Sequence, residues 1–315
     1  MSVERVTLDA RVLDRGRAVA GLGPEHFRVR IDDRPAALLS ATWLPGGGGR
    51  PGPRGEPSSR PSGGNVEAEA RPRGRRVVFF VQMDLHPSRA PGLLRLLREA
   101  RRLVGRLGAA DLAAVVGFDT HLELWQDLTS DFASVRRALA HDVLFADSPG
   151  WRAAPTGPSL GAHMDAAAMR RAASPETALR LVGEALRPVG GSKTLVFLGW
   201  GFGALSGPGV SFHADYDPAR RALLESRVTV FTLDVTEADH HTLEVGLQRV
   251  ARDTGGFYAR THIFTGQAMA RLEEALAGHY VLEVAHPGGP RGRHELRVDL
   301  VGRRGEVLAR SFYFD

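Results

Sequence analysis

Asp84, His86 and Ser88 are the residues of this chain whose types and spacing invite chemistry. They close the stretch Arg76–Ser88 (RVVFFVQMDLHPS), just after the apolar run Val77–Val81. A continuous run of β-branched and aromatic residues that feeds a helix reads as the central strand of a parallel sheet, with helices on both faces. The ligand crevice of such a sheet lies just past the carboxyl ends of its strands. Asp84 and Ser88 therefore stand at the mouth of whatever site the protein has. With a histidine from His240 or His241 they would also compose a hydrolase set, but no Gly-x-Ser-x-Gly elbow surrounds Ser88. The adjacent pair His240-His241 does not share a helix face, which argues against a two-histidine metal clamp. Gly199-x-Gly201-x-x-Ala204 follows a strand with the spacing of a dinucleotide fingerprint. Gly207-Pro208-Gly209 then denies it the helix N-terminus that would hold a pyrophosphate, so it reads as a glycine-rich surface loop. Trp151 and Trp200 fall in loops, where aromatic side chains favour a binding surface, whereas Trp125 is expected in the core.

The elements that must position these residues are legible in the hydropathy pattern. Residues 3–13, 27–31 and 37–44 alternate apolar and polar residues, as half-buried strands do. Residues 45–75 are rich in Gly, Pro, Ser and Arg and too poor in apolar groups to offset the entropy of ordering, so a mobile linker is expected. From 76 to 278 strands and helices alternate, with strands at 77–83, 112–118, 194–198 and 228–233 and a short one near 256–259. Helices are expected at about 89–107, 131–141, 160–172, 175–187, 217–226, 241–253 and 266–278. The short connection Asp119-Thr120-His121 into Leu122–Trp125 suits a hairpin, so one edge strand is expected to be antiparallel. Residues 279–315 return to β. The pattern as a whole predicts an α/β fold, a doubly wound, mostly parallel sheet over 76–278, inserted in a small β-sandwich built from residues 1–44 and 279–315.

Composition narrows the function. The chain has 315 residues, 43% of them hydrophobic and 24% charged, and no cysteine. Disulfides, thiolate metal sites and cysteine nucleophiles are thereby excluded. The net charge is +5, and Lys193 is the only lysine among 41 basic residues. The arginines are scattered and not gathered in a stripe with aromatic platforms, so no nucleic-acid partner is expected. The opening MSVERVTLDA lacks the apolar run of a signal peptide, and no stretch approaches the roughly 20 apolar residues of a membrane span.

A strand ending in Asp84, the loop to Ser88, then a helix, in a doubly wound unit with one antiparallel edge strand, resembles a von Willebrand factor A domain. The flanks resemble the VWFA-related proteins of acidobacteria and other soil bacteria. VTLDARVLDRGRAVAGLGPEHFRVRIDDRPAAL is similar to their strand, turn, V-x-G-L, F, strand, D-G-x-P opening. RVARDTGGFYARTHIFTGQAMARLEEALAGHYVLEVAHP is similar to their A-x-x-T-G-G-x-Y … Y-Y-x-L-x-Y run. The resemblance covers nearly the whole chain outside the linker. It implies a metal-ion-dependent adhesion site, in which an Asp-x-Ser-x-Ser loop, a Thr from a second loop and an Asp from a third hold Mg²⁺, leaving one position for a partner's carboxylate. On that pattern Asp84 keeps the first position and Ser88 the last, while His86 stands where the first Ser belongs. Thr156, with Ser159 as the other candidate, would supply the second loop, and Trp200 replaces the Asp of the third. Two lost oxygen ligands leave a degenerate site, with Mg²⁺ weakened or absent; His86 would suit a softer divalent cation better.

The reading is a non-enzymatic protein-interaction or adhesion module. Its recognition face is expected on loops 84–89, 145–159 and 199–216, with Trp151, Trp200 and Phe202 as contacts for a protein partner and no cofactor beyond a weakly held divalent cation. Relatives in this family are often exported, but no leader supports that here. The rival readings are an enzyme, hydrolytic or nucleotide-dependent, with a deep pocket beside Ser88, and a structural role with the same loops packed shut.

Overall fold

The computed structural model describes residues 5–46, 74–147, 157–206, 209–212 and 214–315. The expected linker thus lies almost wholly outside the described residues. The N-terminal segment forms β1 (Arg5–Asp14), β2 (Arg17–Ala18), β3 (Phe27–Ile31), β4 (Arg34–Ala36) and β5 (Leu38–Pro45). Then come β6 (Arg75–Gln82), α1 (Ala90–Val104), β7 (Leu112–Phe118), β8 (Leu122–Thr129) and α2 (Phe132–Arg137), which continues through a π-turn at Ala138–Asp142. They are followed by α3 (Ala166–Arg171), α4 (Pro175–Leu186), β9 (Ser192–Gly199), and a small hairpin of β10 (Ala204–Ser206) and β11 (Gly209–Ser211). Next are α5 (Tyr216–Glu225), β12 (Val228–Asp234), α6 (Glu244–Thr254), β13 (Tyr258–Arg260) and α7 (Thr265–Leu276). The last strands are β14 (Gly278–Ala285), β15 (Arg293–Leu300), β16 (Glu306–Ala309) and β17 (Phe312–Phe314).

The central sheet has six strands in the order β13-β12-β9-β6-β7-β8. All its pairings are parallel except β7–β8. The residues of β6 alternate between two cores. Val77, Phe79 and Val81 meet Leu93, Leu96 and Leu97 of α1, Val135 of α2 and Leu272 of α7 on one face. Val78 and Phe80 meet Leu179 and Val182 of α4, Leu223 of α5 and Leu247 of α6 on the other. A strand buried on both faces has no polar side, which is why its sequence is one apolar run. In α1 the buried residues recur at helical spacing. Gly92 lets that helix close on the loop after β12, since a Cβ there would lie 1.8 Å from the Val235 carbonyl oxygen.

Strands from both ends of the chain pair with one another. β1 lies between β14 and β16, and β14 also pairs with β5. In a second sheet β3 lies between β15 and β4, and β15 also pairs with β17. Leu8, Ala10, Val29, Ile31, Tyr280, Leu282, Leu296 and Tyr313 form one core drawn from both sheets. Arginines join this β layer to the α/β layer. The buried Arg11 donates to the Ala275 carbonyl (3.0 Å) and to Thr229 Oγ1 (2.9 Å), and Arg310 bridges the Leu224 and Thr7 carbonyls.

Two expected elements differ. The helix foreseen over 160–172 is a 3-10 turn, Gly161–His163, followed by α3, because Asp165 starts a new helix by accepting from the Ala168 amide (2.6 Å). The glycine-rich loop after β9 contains the β10–β11 hairpin, whose antiparallel register pairs Leu205 with Val210.

Candidate interaction site at the carboxyl edge

β6, β9 and β12 end side by side, so Asp84, Trp200 and the loop at 235–237 share one rim. Gln82, buried at the end of β6, fastens two of these loops. Its Oε1 accepts from the Trp200 amide (3.0 Å) and the Gly201 amide (3.2 Å), and its Nε2 donates to the Gly201 carbonyl (2.7 Å). The Glu237 amide donates to the Ser88 carbonyl (2.9 Å), tying in the third.

Asp84 forms an Asx turn, with Oδ1 accepting from the His86 amide at 2.7 Å. Its Oδ2 accepts from the Arg89 guanidinium, which also lies over the Trp200 ring, 3.8 Å from its centroid. Burial alone would raise the Asp84 carboxyl; the His86 amide and the Arg89 guanidinium outweigh it and hold the group below its ordinary value. Arg89 occupies the N-cap of α1, where the helix dipole disfavours a cation. The Asp84 carboxylate and the indole face offset that cost. His86 Nδ1 and Ser88 Oγ lie 2.9 Å apart in an exposed position.

The other expected site residues are placed differently. Ser159 is buried and donates to Asp127 Oδ2 (2.5 Å), while its own Oγ accepts from the Ala162 amide (3.0 Å). It caps a local turn and is not available to Asp84. Phe202, expected as a partner contact, is a core residue, 2% exposed and packed with Phe197, Phe212 and Tyr216. The backbone after Gly201 (φ +122°) turns that ring inward. Trp200 is half-buried, with one face under Arg89. Thr156 and Trp151 lie outside the described residues.

An octahedral Mg²⁺ does not fit the donors described here. Asp84 Oδ1 accepts from an amide and its Oδ2 is paired with a guanidinium, the Ser88 hydroxyl is engaged with an imidazole, and an indole stands in the third loop. The positive charge next to Asp84 comes from the chain itself.

Sequence reasoning missed a second polar cluster, beside the end of β12. Asp234 accepts from the Thr236 amide (2.9 Å), from His241 Nε2 (2.7 Å) and from the Tyr258 hydroxyl (2.8 Å). Glu244 receives a two-pronged Arg260 (3.1 and 2.8 Å) and lies 3.0 Å from the same Tyr258 hydroxyl. Burial opposes the charge on Glu244, but Arg260 and Tyr258 prevail and pull its carboxyl down to about 2. Burial and the two carboxylates push the Tyr258 phenol well up, so it stays protonated and can serve as a donor. His241 was legible only as half of a histidine pair; its partner Asp234 is set by the fold.

Exposed apolar side chains also lie on loops at this edge. Leu85 follows β6, Leu205 lies on the hairpin after β9, and Ile263 and Phe264 follow β13; each is more than half exposed. A hollow of about 460 Å³ has Tyr258 in its lining but neither Asp84 nor Trp200, and hollows of about 440 and 270 Å³ are lined by other parts of the molecule.

Solved structures resemble this fold. They include a von Willebrand factor A domain. That protein, from Catenulispora acidiphila, is 11% identical, covering 95% of this chain and 75% of its own, with a TM-score of 0.44. The conserved hypothetical protein BatB from Bacteroides thetaiotaomicron is 17% identical, covering 64% of this chain and 99% of its own, with a TM-score of 0.41. An aerotolerance-related membrane protein from Bacteroides fragilis is 16% identical, covering 64% and 98%, with a TM-score of 0.43. No family model and no curated protein matches the chain. Among the described residues no helix is long and apolar enough to cross a membrane.

Proposed function

We propose that this protein is a non-enzymatic, protein-binding module of von Willebrand factor A type, whose carboxyl-edge rim grips a partner protein without a metal ion. The observation that carries the reading is the set of exposed apolar side chains, Leu85, Leu205, Ile263 and Phe264, on loops at one edge of the sheet. Several large apolar side chains left exposed on the loops of one sheet edge favour an interaction surface. The adhesion site is degenerate: Arg89 replaces the ion, and Trp200 replaces a carboxylate. A guanidinium paired with Asp84 and stacked on an indole gives the rim a fixed charge that no chelator removes.

On this reading the α/β unit, residues 76–278, is an insertion in a β-sandwich made by residues 1–44 and 279–315, with 45–75 as the linker between them. The pairing of β1 with β14 and of β3 with β15 supports it. Hydrolysis is the second reading, and the His86–Ser88 contact is its one support. That pair is exposed, and among the described residues no carboxylate hydrogen-bonds the imidazole to orient it as a base.

The test is affinity capture from a lysate of the source cells, with the intact chain as bait, in chelator and in Mg²⁺. The account expects the same partner in both, and its loss from a Leu205→Asp, Phe264→Asp double variant that melts like the parent. Capture that requires Mg²⁺, or that survives both substitutions, would exclude this rim mechanism. Turnover of model esters that Ser88→Ala abolishes would favour the second reading.

A further inference from the structure

His286, on the turn after β14, His294, in β15, and Asp315, just past β17, bring one ligand atom each to a common point at one end of the terminal sheets. We propose that His286 Nε2, His294 Nε2 and Asp315 Oδ2 form a zinc(II) site, with water in the fourth position.

Both separations from the carboxylate are close to those that a metal would impose. Asp315 Oδ2 lies 3.1 Å from His294 Nε2 and 3.5 Å from His286 Nε2. Ligand atoms at zinc bond lengths in a tetrahedron stand about 3.3 Å apart. All three atoms lie within 4.8 Å of one another. The His286 and His294 side chains are each 4% exposed, and His286 Nε2 has no hydrogen-bond partner. A buried imidazole nitrogen with no hydrogen bond, set 3.5 Å from a carboxylate and facing a second imidazole, calls for an explanation that a metal ion supplies.

The surrounding groups orient the ligands. His294 Nδ1 is 2.7 Å from Asp32 Oδ2, and Asp32 Oδ1 accepts from the Glu295 amide (2.9 Å). A carboxylate behind a histidine fixes the tautomer that presents Nε2 to a metal. Asp315 Oδ1 accepts from the Gly292 amide (2.6 Å), leaving Oδ2 for the cluster. Tyr313 stacks on His294 with centroids 5.0 Å apart, locking its ring. His286 Nδ1 accepts from the Gly288 amide (3.0 Å), so in the metal-free protein the ring proton sits on Nε2. Zinc moves that proton to Nδ1 and releases the Gly288 amide, which lies in an exposed glycine turn. If His294 is doubly protonated, its Nε2 proton leaves to solvent.

Two imidazoles and one carboxylate select zinc or a neighbouring first-row ion over Mg²⁺ or Ca²⁺. With both rings neutral, Asp32 and Asp315 balance the dication. The cluster of Asp234, His241 and Glu244 has similar ligand types. There Arg260 already supplies the cation and Tyr258 bridges the carboxylates, so it has no comparable need.

The test uses the untagged full chain, stripped with chelator and titrated with zinc chloride by calorimetry and by thermal melting. The expected result is one equivalent bound with a rise in melting temperature. His286→Gln and His294→Gln should each abolish it, Asp32→Asn should weaken it by about 10- to 100-fold, and Asp84→Ala should leave it unchanged. Cobalt(II) added to the unmutated chain should give the visible spectrum of a four-coordinate site, a readout that stands even if a histidine variant fails to fold. No binding, binding unchanged in well-folded histidine variants, or a six-coordinate cobalt spectrum would overturn the proposal.

Discussion

Replacing Arg89 with alanine removes the charge that the rim carries in place of an ion. The loss can be worked from its two contacts. The Arg89 and Asp84 side chains are 28% and 23% exposed, so their charge-assisted hydrogen bond is only partly screened; it contributes about 1–2 kcal/mol. The guanidinium also lies 3.8 Å from the Trp200 centroid, which adds about 0.5–1 kcal/mol. Arg89→Ala should therefore cost about 1.5–3 kcal/mol, or roughly 3–12 °C in melting temperature for a unit of this size. Arg89→Lys, which keeps the charge but not the planar fork, should fall between. The pH dependence has a definite sign. Asp84 is depressed in the folded state, so its contribution is full above its ordinary value near 3.8 and lost as pH falls through the lowered one. The gap between parent and variant should narrow there to the roughly 0.5–1 kcal/mol of the indole contact. An Arg89→Ala variant as stable as the parent at neutral pH would refute the reasoning, as would a gap that widens in acid.

Two further outcomes follow from the same packing and electrostatics. Gly92→Ala would place a Cβ 1.8 Å from the Val235 carbonyl oxygen, backbone that cannot yield cheaply; urea unfolding should show a loss of about 1–3 kcal/mol. Glu244, drawn down to about 2 from an ordinary 4.5, contributes stability above 4.5 that is lost as pH falls toward 2. Arg260, its partner, is 38% exposed, and screening lowers the worth of the pair; Glu244→Gln should lower stability at neutral pH by about 1–2 kcal/mol and flatten the acid limb.

The character of the sheet was legible where one physical signal dominated. Val77–Val81 could only be buried on both faces, and the three residues between Phe118 and Leu122 left room only for an antiparallel return. The terminal strands were legible as partners because neither set could bury its own apolar face. Arg89 was not legible. Its role depends on the turn that swings the guanidinium back onto Asp84 and across to Trp200, a contact between distant segments. The signal that was present, a cation at a helix start where the dipole opposes it, marks it only once the helix boundary is fixed. Phe202 misled because a ring between glycines reads as a loop aromatic, yet the positive φ of Gly201 and Gly203 folds it under the β10–β11 hairpin. The cluster at Asp234 and the one at His286 draw residues from separate elements, and spacing along the chain carries no trace of such convergence.

Crystals grown with Mn²⁺, whose anomalous scattering locates the ion, test the central claim most directly. The account predicts Arg89 density lying between Asp84 and Trp200 and no anomalous peak within bonding distance of Asp84. A manganese peak bound to Asp84 and Ser88, with Arg89 displaced into solvent, would contradict it.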